Sequence, residues 1–210
     1  MTAILSLPLL QVAFETATNE DWRDGLAFAT AGEAVGYAAP GNTGTGTITD
    51  LAVSAGAYIG DYVVTMASPT AFRVTDPDGY TLGAGALGVP FSRSGVSFTV
   101  TAGASGFAAR DTLIVSVLPA PIDITGIAFR MQVRTAAGNE SVKLDVSTEA
   151  STIVNGGATG VLGIAVPGER MARMKPAALV FDIVAIADGL ERRVATGTIN
   201  HVPGVTRLIA

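Results

Sequence analysis

The stretch Ile127-Ala-Phe-Arg-Met-Gln-Val-Arg134 decides the fold class. In an extended chain Ile127, Phe129, Met131 and Val133 fall on one side, and Ala128, Arg130, Gln132 and Arg134 on the other. That period of two marks a strand with one buried and one solvated face. Downstream, Val142, Leu144 and Val146 repeat the scheme with Lys143, Asp145 and Ser147 outside. Upstream, Val96, Phe98 and Val100 alternate with Ser97, Thr99 and Thr101, and shorter cases occur at Phe72–Val74 and Leu113–Val117.

Turn chemistry separates these runs. Asp76-Pro77-Asp78-Gly79, Ala137-Gly138-Asn139, Asn155-Gly156-Gly157 and Ala187-Asp188-Gly189 combine positive-φ glycine with Asp or Asn that bonds its own backbone. Many short strands at such spacing predict sandwiches or small barrels. Only Pro167 to Lys175 reads as helical, with Met171 and Met174 three apart and Pro176 as a stop. The class is all-β.

Composition narrows the function. Of 210 residues 49% are hydrophobic, enough for a sizeable core, and 15% are charged, against about 25% in typical globular chains. A surface so poor in charge is expected to sit against partners or copies of itself. The net charge of −5 and the lack of any Lys/Arg run disfavour nucleic acid. There is no cysteine, so disulfides and thiolate metal sites are excluded. Met1 to Val12 is apolar but lacks a basic start and contains Pro8, which reads against a signal peptide. No uninterrupted apolar run reaches the roughly 18 residues a spanning helix needs, so no membrane partner is expected.

Two places look like joints: the Gly-rich run from Gly36 to Gly46, and Leu118-Pro-Ala-Pro-Ile122. Between them, Thr47 to Val117 reads as a small β-unit of about six strands. Pattern alone allows three consecutive parts, or a middle part inserted into a domain made from both ends.

The segment Gly41 to Val117 contains GNTGTGTIT, AGAYIGDYVVT, FRVTDPDGYTLGAGALGVPF and FTVTAGASGFAARDTLIVSV. It resembles the β-module of phage head decoration proteins. The flanks, ETATNEDWRDGLAFAT (15 to 30), PIDITGIAFRMQVRT (121 to 135), KLDVSTE, IVNGGATGVLGIAVPGERMARM and ALVFDIVAIADGLERRVATGTI, resemble the immunoglobulin-like N-terminal domain of phage baseplate upper proteins. In such domains the first strand runs almost directly into the next motif, whereas about eighty residues intervene here. The resemblance therefore implies an immunoglobulin-like β-sandwich, residues 1–36 plus 119–210, with a decoration-like β-domain, residues 41–117, inserted in an early loop. One short helix is expected near 168–175. Leu179-Val180-Phe181 stands where related domains carry a tyrosine, which puts a tyrosine corner in doubt.

Candidate chemistry is sparse. Gly83, Gly85 and Gly88 form a GxGxxG string, but Val89-Pro90-Phe91 follows instead of a helix, so turns or bulges are the expected reading. Asp76, Asp78 and Gly79 resemble the front of a calcium loop, yet the position for its bidentate Glu is Leu87. His201, the sole histidine, lacks a nucleophile-elbow partner and reads as a partly exposed structural residue. Glu15, Glu20, Asp21 and Asp24 cluster near the start, where strand-edge solvation accounts for them as well as catalysis does. The expectation is no enzyme, no cofactor and no metal.

Interface candidates remain. Trp22, the only tryptophan, lies among charges and is read as a core cap, an interface anchor or a sugar platform. Arg130, Arg134, Arg170, Arg173, Arg192 and Arg193 supply an almost purely arginine basic surface, fit for carboxylates on a partner, with scattered solvated charge as the alternative. Ala3 to Phe14 is either a donated strand or the first strand of its own domain. The implied role is a virion structural protein assembled in the host bacterial cytoplasm, either capsid decoration or a fibre or spike anchor. It would bind other virion proteins and copies of itself, with the host cell surface as a further partner. A tail or baseplate adaptor and a glycan-binding attachment module are the alternatives.

Overall fold

The computed structural model describes residues 3–54 and 56–205. Strand accounts for 57% of the chain and helix for 4%, which makes the protein all-β. The chain divides into two compact units. One comprises the residues up to Phe28 and those from Pro121 onward; the other is Ala29–Ala120.

The first unit opens with a 3-10 turn (Ala3–Ser6), β1 (Leu10–Ala17) and β2 (Trp22–Ala27). The second holds β3 (Ala29–Ala38), β4 (Thr47–Val53), β5 (Gly60–Met66), β6 (Ala71–Thr75), β7 (Thr81–Ala86), β8 (Phe91–Arg93), β9 (Val96–Thr101) and β10 (Thr112–Pro121), the last running one residue past the boundary. The first then resumes with β11 (Ala128–Arg134), β12 (Val142–Ser147), β13 (Ile153–Asn155), β14 (Val161–Val166), the single-turn helix α1 (Gly168–Met171), β15 (Ala177–Ala187) and β16 (Leu190–Val202).

In the first unit one sheet has the order β1-β16-β15-β11-β12 and the other β13-β14-β2. β1 runs parallel to β16, and the other pairs are antiparallel. Numbered within this unit, strands three, four, seven and eight share a sheet with the first, and two, five and six form the other. That is the strand arrangement of an immunoglobulin-like sandwich. Inward residues of both sheets meet in one core: Phe28 stacks on Phe129 at 6.1 Å, and Phe14 packs against both Trp22 and Phe181. Burying each such side chain contributes about 1.5–3 kcal/mol, set against the entropy of ordering it.

In chain order the second unit is inserted between strands two and three of this sandwich. Both chain crossings are pinned side by side in the first unit, where Ile122 N–H donates to Phe28 O (2.9 Å) and Phe28 N–H to Gly160 O (2.8 Å). An insertion with adjacent ends disturbs its host little. The second unit's sheets, β3-β10-β5-β6-β7 and β4-β9-β8, enclose their own core around Tyr62, Phe72, Phe91, Phe98 and Phe107.

Several expectations change. The joint falls at Phe28/Ala29, before the Gly-rich run. Gly36 lies in β3, where a Cβ would stand 2.8 Å from Ile48, and Gly44 and Gly46 press on Phe107. These glycines serve close packing in the second unit, which has eight strands: seven, β4 to β10, where about six were expected from Thr47 onward, and β3 before them. β3 escaped notice because its sequence, ATAGEAVGYA, offers few large apolar side chains. At the other crossing Pro119 and Pro121 stay in β10, beyond Val117, where pairing to β5 ends and no donor to that strand is needed.

The short helix is present as a single turn within 168–175, with Met171 and Met174 both inserted in the core before Pro176. All four tyrosines lie within residues 29–120, so the first unit has no tyrosine corner; Leu179 and Phe181 are buried there instead. The donated-strand reading of Ala3 to Phe14 is also set aside. β1 pairs with β16 of its own chain from Leu10↔Ala195 to Ala17↔Val202, and Ile4 and Leu7 are buried in the first unit's core.

Candidate interface

The outer face of the first unit's five-stranded sheet gathers the polar side chains of three central strands. Alternation sends Phe129, Met131 and Val133 of β11 inward, which leaves Arg130, Gln132 and Arg134 outside. Register places Arg130 beside Val184, Gln132 beside Asp182 and Arg134 beside Val180 of β15. A bulge at Ile183/Val184 then sets Arg193 of β16 opposite Val184 and Glu191 opposite Ile186. Together they line a concavity of about 530 Å³, rimmed by Ala137 and Gly138 of the β11–β12 hairpin.

The charges on this face are held in place. Arg130 Nε donates to Asp145 Oδ1 at 3.1 Å and its Nη2 grips Oδ2, a two-pronged contact between neighbouring strands. Gln132 Nε2 donates to the same Oδ2 at 2.9 Å. The Arg130 hydrogen bonds hold the Asp145 carboxyl below its ordinary range, burial opposing them and Gln132 assisting, while Asp145 raises Arg130 in turn. Arg134 donates to Gln132 Oε1 (2.7 Å) and to the Asn139 carbonyl, so the hairpin is tied to the sheet. Arg193 lies 3.8 Å from Asp182 and remains 56% exposed. Fixed fork-shaped donors beside Val180, Val184 and Ile186 suit recognition of a protein surface carrying carboxylates and small apolar groups.

The remaining candidates are elsewhere. Arg170 lies half-buried at α1 and donates to the Asp145 carbonyl at 2.7 Å; Arg173 follows α1 in an exposed turn. Arg192 precedes Arg193 and so faces the other way, its Nη1 donating to Ile4 O at 3.3 Å. The six arginines thus divide among three places.

Trp22 as an interface anchor or sugar platform is corrected. It is 2% exposed, lies edge-to-face on Phe14 at 5.3 Å, and donates its Nε1–H to Asp24 Oδ2 at 2.8 Å. It caps the core, with its one polar atom turned to a surface carboxylate. The neighbouring acids have structural partners too: Glu20 accepts from Ala17 N–H and Asp21 from Gly168 N–H. The Gly168 amide, then Arg23, lowers the Asp21 carboxyl.

His201 also differs from expectation, being 1% exposed rather than partly exposed. Asp76 turns on itself, its Oδ1 accepting from Asp78 N–H (3.1 Å) and Tyr80 N–H (2.8 Å). Among the described residues no three His, Cys, Asp or Glu side chains are grouped to hold a metal. Gly83 and Gly85 lie in β7 and Gly88 in the turn after it; a Cβ on Gly85 would meet the Phe72 ring at 2.3 Å. No helix of the described residues is long and apolar enough to cross a membrane.

Sequence reading did not single out Gln132, Asp145, Asp182, Val184 or Ile186. The alternation gave the outward set on each strand, but register and the bulge, which bring those sets together, are properties of pairing.

No protein-family model matches the chain, and no curated protein matches it. Among solved structures, two crystal forms of Xanthomonas campestris FlgL match at 22% identity and a TM-score of 0.34. The match covers 43% of this chain and 31% and 30% of those chains. A likeness this slight carries nothing about function.

Proposed function

We propose that the protein is a non-enzymatic structural component of a bacteriophage virion, a capsid decoration or a fibre- or spike-anchoring protein. The first unit docks on other virion proteins, or on copies of itself, through the outer face of its five-stranded sheet. The supporting observation is the nesting of two β-units. The segments resembling decoration modules and baseplate-type immunoglobulin-like domains belong to different units, each with its own core. The fixed arginines of the outer face, on a chain with so few charges, add to it. The glycan-binding alternative loses its tryptophan platform to the core.

Cryo-electron microscopy of particles released from the producing cells tests this reading. Density for two linked β-units on the capsid lattice or at a vertex is the expected result. Density confined to the tail or baseplate would move the role to an adaptor. Absence from every particle, checked by mass spectrometry of the same preparation, would overturn it.

A further inference from the structure

We propose that the groove between edge strand β12 and the turn after α1 binds an acidic segment of a partner protein. Two depressions meet there. One, about 340 Å³, is lined by Val142, Lys143, Leu144, Asp145, Arg170 and Arg173. The other, about 380 Å³, shares Lys143 and Arg173 and adds Lys175 beside Met174 and Leu179. Lys143 and Arg173 thus stand on the walls of both. Neither shares a lining residue with the outer-face concavity, and the inference stands whether or not the protein belongs to a virion.

Charge carries the argument. The chain is acidic overall and has only two lysines, at 143 and 175, and both line this groove. The one carboxylate in the lining, Asp145, is engaged by Arg130 and Gln132. Arg170 is held on the Asp145 carbonyl and forms the wall. Among the described residues Lys143 reaches only the Ser141 hydroxyl, at 3.1 Å. Among the described residues no carboxylate pairs with Arg173 or Lys175. Three cations around one cleft repel one another until an opposite charge enters.

A lysine on an edge strand commonly guards against strand-to-strand aggregation. That accounts for Lys143, but Arg173 and Lys175 come from a separate element. The groove is also partly apolar, lined by Val142, 37% exposed, and Leu179. Carboxylates interleaved with small apolar side chains meet both features. With Arg170 already on the Asp145 carbonyl, side chains rather than an added strand supply the recognition.

The test is fluorescence anisotropy of the full chain with a short labelled peptide alternating Glu and Val, against its Gln-for-Glu counterpart. Saturable binding of the Glu peptide alone is expected. It should weaken at least about tenfold in Arg173→Glu/Lys175→Glu, because like charges replace attraction, and also on raising salt, which shortens the screening length from about 10 Å at 0.1 M. Lys143→Gln should weaken it less, and Arg73→Glu, exposed on β6 of the second unit, not at all. All these side chains are exposed, so unchanged melting curves confirm intact folds. Equal binding of both peptides, or indifference to the double reversal, overturns the proposal. So does a groove-dependent preference for a sulfated oligosaccharide over the Glu peptide. Self-association abolished by the reversal, without peptide binding, would make a second copy the occupant and overturn it equally.

Discussion

Thr16 Oγ1 and His201 Nδ1 lie 2.9 Å apart, both buried, at matched positions of the parallel β1–β16 pair. The other ring nitrogen, Nε2, has no partner among the described residues. This one bond is therefore all that offsets the burial of an imidazole in the first unit's core. Thr16→Val removes it and strands both nitrogens, which should cost about 1–3 kcal/mol. Replacing both partners, Thr16→Val/His201→Leu, leaves no orphaned polar atom and should recover most of that loss. Urea unfolding of the single and double variants, followed at Trp22, closes the cycle. A double variant no more stable than Thr16→Val would refute the account.

Trp22 is itself a reporter. It is the only tryptophan and belongs to the first unit's core, whereas every tyrosine belongs to the second unit. Native emission should lie at the short wavelengths of a dry site and shift red only when the first unit opens. Trp22→Ala should cost about 3–5 kcal/mol, as large-to-small core substitutions do, and Trp22→Phe much less. Emission at the wavelength of free tryptophan in the native protein would contradict the burial.

Asp111 sets the acid limit of the second unit. Its carboxylate accepts from the amides of Ala108 (2.9 Å), Thr43 (2.9 Å) and Gly44 (2.8 Å), which closes two loops on one another. The Ala108 amide, then Thr43, hold its carboxyl below the ordinary range, with burial opposing and Gly44 adding to them. A lowered folded value means stability that is fully present above the unfolded value, near 3.8, and lost as pH falls through the folded one. Melting of the second unit, followed by tyrosine absorbance, should thus drop as pH falls below about 4, and Asp111→Asn should start lower and slope less. Parallel curves for the two proteins would show that Asp111 does not govern the acid limb.

The fold was legible where large apolar side chains alternate with polar ones. Ile127–Arg134 and Val142–Ser147 disclosed β11 and β12 because each residue's side follows from the period of two. β3 was not legible, since its alternation is carried by Ala and Gly, whose removal from water signals little. The glycines of 36 to 46 misled for a related reason. A missing side chain looks the same in sequence whether it frees the backbone or lets Ile48 and Phe107 approach it. The interface was half legible: the outward arginines could be named, but their partners depend on a register that no single strand encodes. Trp22 was ambiguous because the charges around it in sequence, Asp24 above all, serve its indole N–H rather than a partner.

Close backbone approach gives the sharpest single-residue test. Gly197 of β16 faces Val12 of β1, and a Cβ built there would lie 1.7 Å from the Val12 carbonyl oxygen, with the Phe181 ring at 3.2 Å. The obstacle is backbone, so Gly197→Ala has to push the parallel β1 strand away, and an overpacked site costs about 1–3 kcal/mol, occasionally more. Gly163 of β14 is the control. It too is a strand glycine, but its nearest neighbour to an added Cβ is Val154 at 3.6 Å, ordinary contact distance. Gly163→Ala should be neutral or slightly stabilising, because the unfolded chain loses freedom and nothing in the fold moves. Thermal melts followed at Trp22 should separate the two variants, with Gly197→Ala lowering the first unit's transition and Gly163→Ala leaving or raising it. Equal melting temperatures would mean that β1 does not hold its close parallel place beside β16, and that the first strand is free to pair elsewhere.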